Sequence, residues 1–373
     1  MPDRPINRLI VSIGLHKTGS TSIQASLQGY DRGGIRYADL GHRNHSTPLL
    51  QVLRPGYVRS EQRRDPSLAA RGRVAAEKAR ADLARELATP AKTLILVAEG
   101  LSLCSREEVE RFRDMVRSRA CSVEIVACVR EPLGLMSSIA QQQLKRWRPR
   151  PAPLGVNYQA RLEPWLEVFG SVTFRLFDRS ALVGGSVVQD FLQVAGIDPA
   201  TVEERGMNQS MSLDAARWLA CLWRSYPNIE EPRFRVARRE AMALLTAMPG
   251  DKFRLPPDLV RAAVDKADVS WAENVTGFHL FEDGPDVEPS GYHDLSAFLA
   301  DIDAAAMDRM RAFLAERGME VAGTTPDRIV AEMFDSIAAA GPTRAMQVLT
   351  SRLPAWLVET LRRRAWVRAM LGR

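Results

Sequence analysis

The chain has 373 residues, 46% hydrophobic and 26% charged. That is a globular composition, rich enough to bury a large core as one big domain or two smaller ones, and it excludes a disordered or fibrous chain. A formal net charge of +6 and a pI of about 9.3 favour an anionic ligand; on charge alone a nucleotide, nucleic acid or an acidic membrane surface would serve. The first predicted element is the apolar run Leu9-Ile10-Val11-Ser12, read as a buried strand over about 8–14. It runs into Gly14, His16, Lys17, Thr18, Gly19, Ser20, Thr21 and Ser22, then the helix-like Ile23 to Leu27. Strand, glycine-bearing loop and helix start together make a phosphate cradle. Glycine lets the backbone approach, loop N–H groups point at the anion, and the helix dipole adds positive potential.

The next stretch, from about Tyr30 to Pro66, reads as irregular and is rich in Gly, Arg and His, including Gly41-His42-Arg43-Asn44-His45-Ser46. Residues 67–88 read as a charged helix that Pro90 ends. A strand over 93–98 ends at Glu99-Gly100, and another over 123–129 ends at Arg130-Glu131-Pro132. Pro132 suits the first turn of a following helix. Arg130 then stands at a strand tip with Ser138 two turns on, a planar fork and a neutral hydroxyl that together can grip one phosphate. A fourth strand over 171–177 ends at Asp178, and Val187 to Ile197 reads as a helix. Alternating strands and helices predict an α/β fold, a parallel sheet flanked by helices. Beyond Leu213 the chain reads as mostly helical, with loops near 249–257 and 282–292. Ser212 is an expected N-cap.

The position of the lysine separates this loop from a Walker A motif. Gly14 and Gly19 have the Walker A separation, but Ser20 stands where that motif has lysine, and Lys17 precedes the second glycine. The run H-K-T-G-S-T-S after a first strand resembles the 5′-phosphosulfate loop of sulfotransferases, which use 3′-phosphoadenosine 5′-phosphosulfate (PAPS). V-R-E-P-L-x-x-x-x-S, from Val129 to Ser138, resembles the 3′-phosphate motif of the same family. Asp178 with Phe191-Leu192 and Gly196 fits the family's next strand–helix unit but supports the fold more than the function. The resemblance covers roughly 8–197 and is to the bacterial carbohydrate type.

The resemblance implies a P-loop-like sulfotransferase fold over 1–285 with acceptor-side helical elements, followed by a helical extension over 286–373. It implies metal-independent, in-line transfer of the sulfuryl group to a hydroxyl of a carbohydrate or glycolipid. His16, Lys17, Thr18, Gly19, Ser20, Thr21, Ser22, Arg130 and Ser138 would bind the nucleotide. Lys17 would stabilise the charge that develops on the bridging oxygen. The family's base commonly lies at the tip of the strand between the two cofactor motifs, here Glu99, although many relatives use histidine there. His45 in the preceding loop is the rival, and the choice stays open between them. Asn208-Gln209-Ser210 resembles an N-x-S found before a helix in relatives.

Two other classes are weighed against transfer. A P-loop NTPase or nucleotide kinase is disfavoured by the displaced lysine and by the lack of a Walker B acid. A non-catalytic nucleotide- or membrane-binding module would keep the fold without the chemistry. No nucleic-acid partner is expected, and no metal. Cys104, Cys121, Cys128 and Cys221 have no metal-ligand spacing, and free thiols point to a reducing, cytoplasmic setting. No run approaches transmembrane length, and the start leads straight into the first strand, so no cleaved signal peptide is expected. The basic amphipathic stretch from Leu353 to Leu371 reads as packing or a homodimer contact, with peripheral membrane attachment as the alternative.

Overall fold

A computed structural model describes residues 4–54, 57, 67–146, 155–206, 210–281 and 289–350, without the side chains of 67–71 and 340–350. Asn208, Gln209 and the stretch 353–371 lie outside the described residues. In chain order the elements are β1 (Ile6–Ser12), α1 (Ser20–Leu27), β2 (Asp31–Arg32), β3 (Ile35–Tyr37), α2 (Ser46–Leu53), α3 (Ser67–Ala88) and β4 (Ala91–Val97). Then come α4 (Arg106–Arg117), β5 (Ala120–Val129), α5 (Pro132–Lys145), α6 (Tyr158–Phe169), β6 (Thr173–Leu176) and α7 (Val187–Ala195). Helices follow: α8 (Leu213–Ser225), α9 (Arg235–Thr246), α10 (Pro257–Ala263), α11 (Lys266–Thr276), α12 (Leu295–Ala300), α13 (Ala304–Ala315) and α14 (Pro326–Thr350).

The chain forms two compact units. The first is Met1–Met136, Gly155–Gln209 and Ala263–Asp286; the second is Ser137–Leu154, Ser210–Ala262 and Val287–Arg373. The last segment of the first unit ends at Asp286. Ser137–Leu154 and Ser210–Ala262, expected in the first domain, group with the second, because the chain leaves each unit and returns to it.

In the first unit six strands make one sheet in the order β2-β3-β4-β1-β5-β6. All neighbours are parallel except β2 with β3. Strand β1 is central, which is why its run Leu9, Ile10 and Val11 is apolar without alternation: all three are fully buried. From β1 the chain goes out to β2 and β3, returns to β4, and then crosses to β5 and β6. The order reverses about β1, so the carboxyl end of β1 is a topological switch point, where open α/β sheets hold ligands. A core of Ile10, Ile95, Val97 and Val126 under Ile23, Leu27, Val188, Phe191 and Leu192 fixes α1 and α7 to the sheet.

The expected strands all form. The stretch read as irregular after Tyr30 instead holds β2, β3 and α2. The strands are only two and three residues long, too short to show a period.

The second unit is helical among its described residues, apart from an isolated bridge between Ser212 and Lys252. Ser212 caps α8 as expected, accepting from Ala215 N at 3.1 Å. Asp214 in the first turn is held by Arg309 through two bonds of 2.6 and 3.0 Å. No helix among the described residues is long and apolar enough to cross a membrane.

Candidate functional site

The site is built on the carboxyl ends of β4, β1 and β5. Register pairs Ser12 with both Val97 and Val126. Past Ser12 the chain stays laddered to β5: Ile13 N donates to Val126 O (2.9 Å), Cys128 N to Gly14 O (3.2 Å) and Leu15 N to Cys128 O (2.8 Å). The loop therefore starts from a rigid edge rather than a free tether. It turns through three residues with positive φ, Gly14 (74°), Lys17 (69°) and Gly19 (82°). A Cβ on Gly14 would stand 2.7 Å from Glu99 Cβ, and one on Gly19 would stand 2.6 Å from Val187 Cγ1. Both glycines are required by conformation and by space.

Lys17 is the one described non-glycine residue with positive φ. That conformation costs a residue with a Cβ about 1 kcal/mol or more, and such strain clusters at binding sites. Thr18 donates its buried hydroxyl to Leu15 O at 2.6 Å. Its side chain thus helps to build the loop. Gly19 caps α1 without a side-chain hydrogen bond. The first amides of the helix, at Ser20 and Thr21, are therefore not closed off by a capping side chain, the arrangement that suits an anion. Ser20 is buried; His16, Lys17, Thr21 and Ser22 are half-buried.

Arg130 follows β5 and reaches the same loop. Its Nη1 donates to Lys17 O at 3.1 Å, and its guanidinium lies 5.1 Å from the centroid of Phe177. The two motifs read separately in the sequence are thus in direct contact. Ser138 lies on α5, half-buried, past Met136 where the first unit ends; it belongs to the second unit.

Glu99 opens the 3-10 turn after β4, half-buried. Each of its carboxylate oxygens accepts one amide: Gln24 Nε2 to Oε2 at 2.9 Å and Asn44 Nδ2 to Oε1 at 3.0 Å. Gln24 is on α1, so the carboxylate is tied to the helix that the glycine loop starts. Asn44 is fixed in turn, its Oδ1 accepting from Ser46 N at 2.8 Å. Neither Gln24 nor Asn44 stands out in the sequence, because neutral amides carry no charge signal.

His45 has a different task from the one considered for it. It is fully buried. Its Nδ1 accepts from Val97 N at 3.1 Å, which puts the ring proton on Nε2, and Nε2 donates to Ala38 O at 2.9 Å. Its ring lies 4.4 Å from that of Tyr37. With both nitrogens held by backbone, the geometry gives His45 no nitrogen open to an acceptor hydroxyl. It fastens the Gly41–Ser46 loop to β4.

Burial holds the His45 imidazole down at about 4. The unfolded chain, with an ordinary histidine pKa near 6.5, takes up this proton first. The stabilisation is therefore full above pH 6.5 and is lost as pH falls toward 4, at about 1.4 kcal/mol per pH unit. Urea unfolding at pH 7, 6 and 5 should show this slope in the wild type and a shallower one in His45→Gln. Equal slopes would contradict the buried neutral imidazole.

Helix α6 supplies a residue that the sequence reading did not reach. Arg161 Nη1 lies 3.4 Å from His16 Nδ1. Its signal, visible in retrospect, is a lone cation in the stripe Tyr158, Leu162 and Trp165. No family model matches the chain, and no curated protein or solved structure matches it.

Proposed function

We propose that the chain is a PAPS-dependent sulfotransferase of P-loop-like fold, acting on a hydroxyl acceptor of carbohydrate or glycolipid type. One observation carries the reading: a glycine loop at the switch point, its lysine ahead of the second glycine, is touched by the arginine just past the neighbouring strand β5. Two motifs that resemble the 5′- and 3′-phosphate elements of one nucleotide site are separated by 113 residues in sequence and joined by the Arg130–Lys17 contact. The residues fit such a ligand. Uncapped helix amides and two glycines with positive φ leave room for a 5′-phosphosulfate. Lys17 and Arg130 supply positive charge, and Ser20, Thr21 and Ser22 supply hydroxyls. PAPS supplies the activated sulfuryl group.

Glu99 is the proposed base. Its two oxygens are oriented by Gln24 and Asn44, and it stands against Gly14 of the loop. A carboxylate accepts four hydrogen bonds in all, so two amide bonds leave lone pairs for an acceptor hydroxyl. Lys17 is the proposed electrostatic partner of the leaving nucleotide. The acceptor side belongs to variable loops and is not specified by these residues.

Arg130→Ala should weaken binding of 3′-phosphoadenosine 5′-phosphate (PAP) by about 2–4 kcal/mol, the scale of a lost charge-assisted fork. It should weaken adenosine 5′-phosphosulfate, which lacks the 3′-phosphate, much less. Equal losses in calorimetry would remove Arg130 from the 3′ site. The function itself is tested by turnover of labelled PAPS against glycan, lipid and phenolic acceptors in EDTA. Labelled sulfated product is expected from one acceptor class. PAPS that binds and is never turned over with any class would favour a non-catalytic module.

A further inference from the structure

Helix α6 crosses the tips of three neighbouring strands. The Tyr158 hydroxyl donates to Arg130 O, just past β5, at 2.5 Å. Arg161 reaches His16, past β1, at 3.4 Å. Trp165 Nε1 donates to Leu101 O, in the turn past β4, at 3.3 Å. Spacings of three and four residues put these side chains on one helix face. Tyr158, Leu162 and Trp165 on that face are fully buried, so Arg161 is its one charged member.

The helix is held in place at its start. Asp268 accepts from Tyr158 N and Gln159 N, both at 2.8 Å. Those bonds engage both oxygens of Asp268, and among the described residues no carboxylate lies within ion-pair distance of the Arg161 guanidinium. Burial lowers the Arg161 pKa, and the more distant Asp268 charge opposes that only in part. An arginine remains charged in a protein, and it always donates. His16 Nδ1 therefore accepts, which places the ring proton on Nε2. Among the described residues this half-buried guanidinium has one hydrogen bond, to a neutral imidazole, and no counterion that offsets its desolvation. It stands beside the glycine loop, whose helix start has no side-chain cap.

We propose that Arg161 is a second cationic ligand for the anionic group held by the glycine loop, acting beside Lys17 on the 5′ side of the nucleotide. The proposal rests on the reading of this loop as the 5′-phosphosulfate site. Arg161 and Arg130 then divide the nucleotide between them, one serving each phosphate position.

The division gives a double dissociation. The probes are PAP, adenosine 5′-phosphate and adenosine 3′-phosphate, titrated calorimetrically into the full chain. Arg161→Gln should weaken PAP and adenosine 5′-phosphate by about tenfold or more, the scale of one charge-assisted bond. It should leave adenosine 3′-phosphate within about twofold, since that ligand makes no use of the bond. Arg130→Ala should give the opposite pattern. Arg161→Lys keeps the charge and should recover part of the loss; it also carries the test should the glutamine variant fold poorly. Equal weakening of all three ligands would mean that Arg161 only supports the fold, and would overturn the proposal. Unchanged affinity for adenosine 5′-phosphate would overturn it too, while leaving the sulfotransferase reading intact. A wild type that binds none of the three would overturn both.

Discussion

Glu99→Gln should lower kcat by about 10²–10⁴ and leave PAP affinity near wild type, the signature of a lost general base. The substitution keeps the shape of the side chain and its contact with Gly14. It removes the ability to take a proton. It also places an NH2 where Gln24 Nε2 or Asn44 Nδ2 now donates, so one of the two amide bonds will be lost. That loss is worth about 1 kcal/mol in stability, too little to account for a kcat effect of this size. Asn44→Ala provides the comparison. It frees one oxygen of Glu99 and should slow kcat by less than Glu99→Gln does, because the proton acceptor remains. A Glu99→Gln enzyme with wild-type kcat would show that the base lies elsewhere. His45 would not inherit the role, since its nitrogens are both engaged.

Lys17→Ala should lower kcat by about 10²–10³, the scale of one preorganised electrostatic donor. The backbone gives this position a second readout. Because Lys17 has a φ of 69°, Lys17→Gly removes the same ammonium and also relieves the left-handed strain. The glycine variant should be as inactive as the alanine variant yet more stable by about 1 kcal/mol in urea unfolding. Activity of the wild type should survive EDTA. Loss on chelation with recovery on adding Mg²⁺ would favour the NTPase reading. An alanine variant that keeps its kcat would remove Lys17 from the chemistry.

The fold was legible where burial leaves a strong sequence imprint. Leu9 to Val11, Leu94 to Val97 and Ile125 to Val129 are continuous apolar runs because parallel strands are covered on both faces. The short strands β2 and β3 left none, since Asp31 and Arg32 are exposed and Ile35 to Tyr37 is one pleat and a half. The two-unit division was hidden because it follows contacts between segments far apart in sequence, such as Leu255 N donating to Ser137 Oγ at 3.0 Å.

At the site, residues with unusual chemistry could be read and their neutral partners could not. Lys17 stood out by its place ahead of the second glycine, and Arg130 and Glu99 by charge at strand tips. Gln24 and Asn44 orient the carboxylate through uncharged amides. His45 drew attention by its type, yet a histidine with both nitrogens on backbone looks identical in sequence to one facing a substrate. The Thr18 hydroxyl, bonded to Leu15 O, shows that loop hydroxyls serve the loop as readily as a ligand. Arg161 stayed out of view since its partner, His16, lies 145 residues away in sequence.

The most direct test of the account is titration of PAP into the chain in EDTA, set against ATP with Mg²⁺. One saturable PAP site, weakened by Arg130→Ala, is expected, with ATP–Mg²⁺ binding much more weakly. Tight ATP–Mg²⁺ binding with no heat from PAP would contradict it.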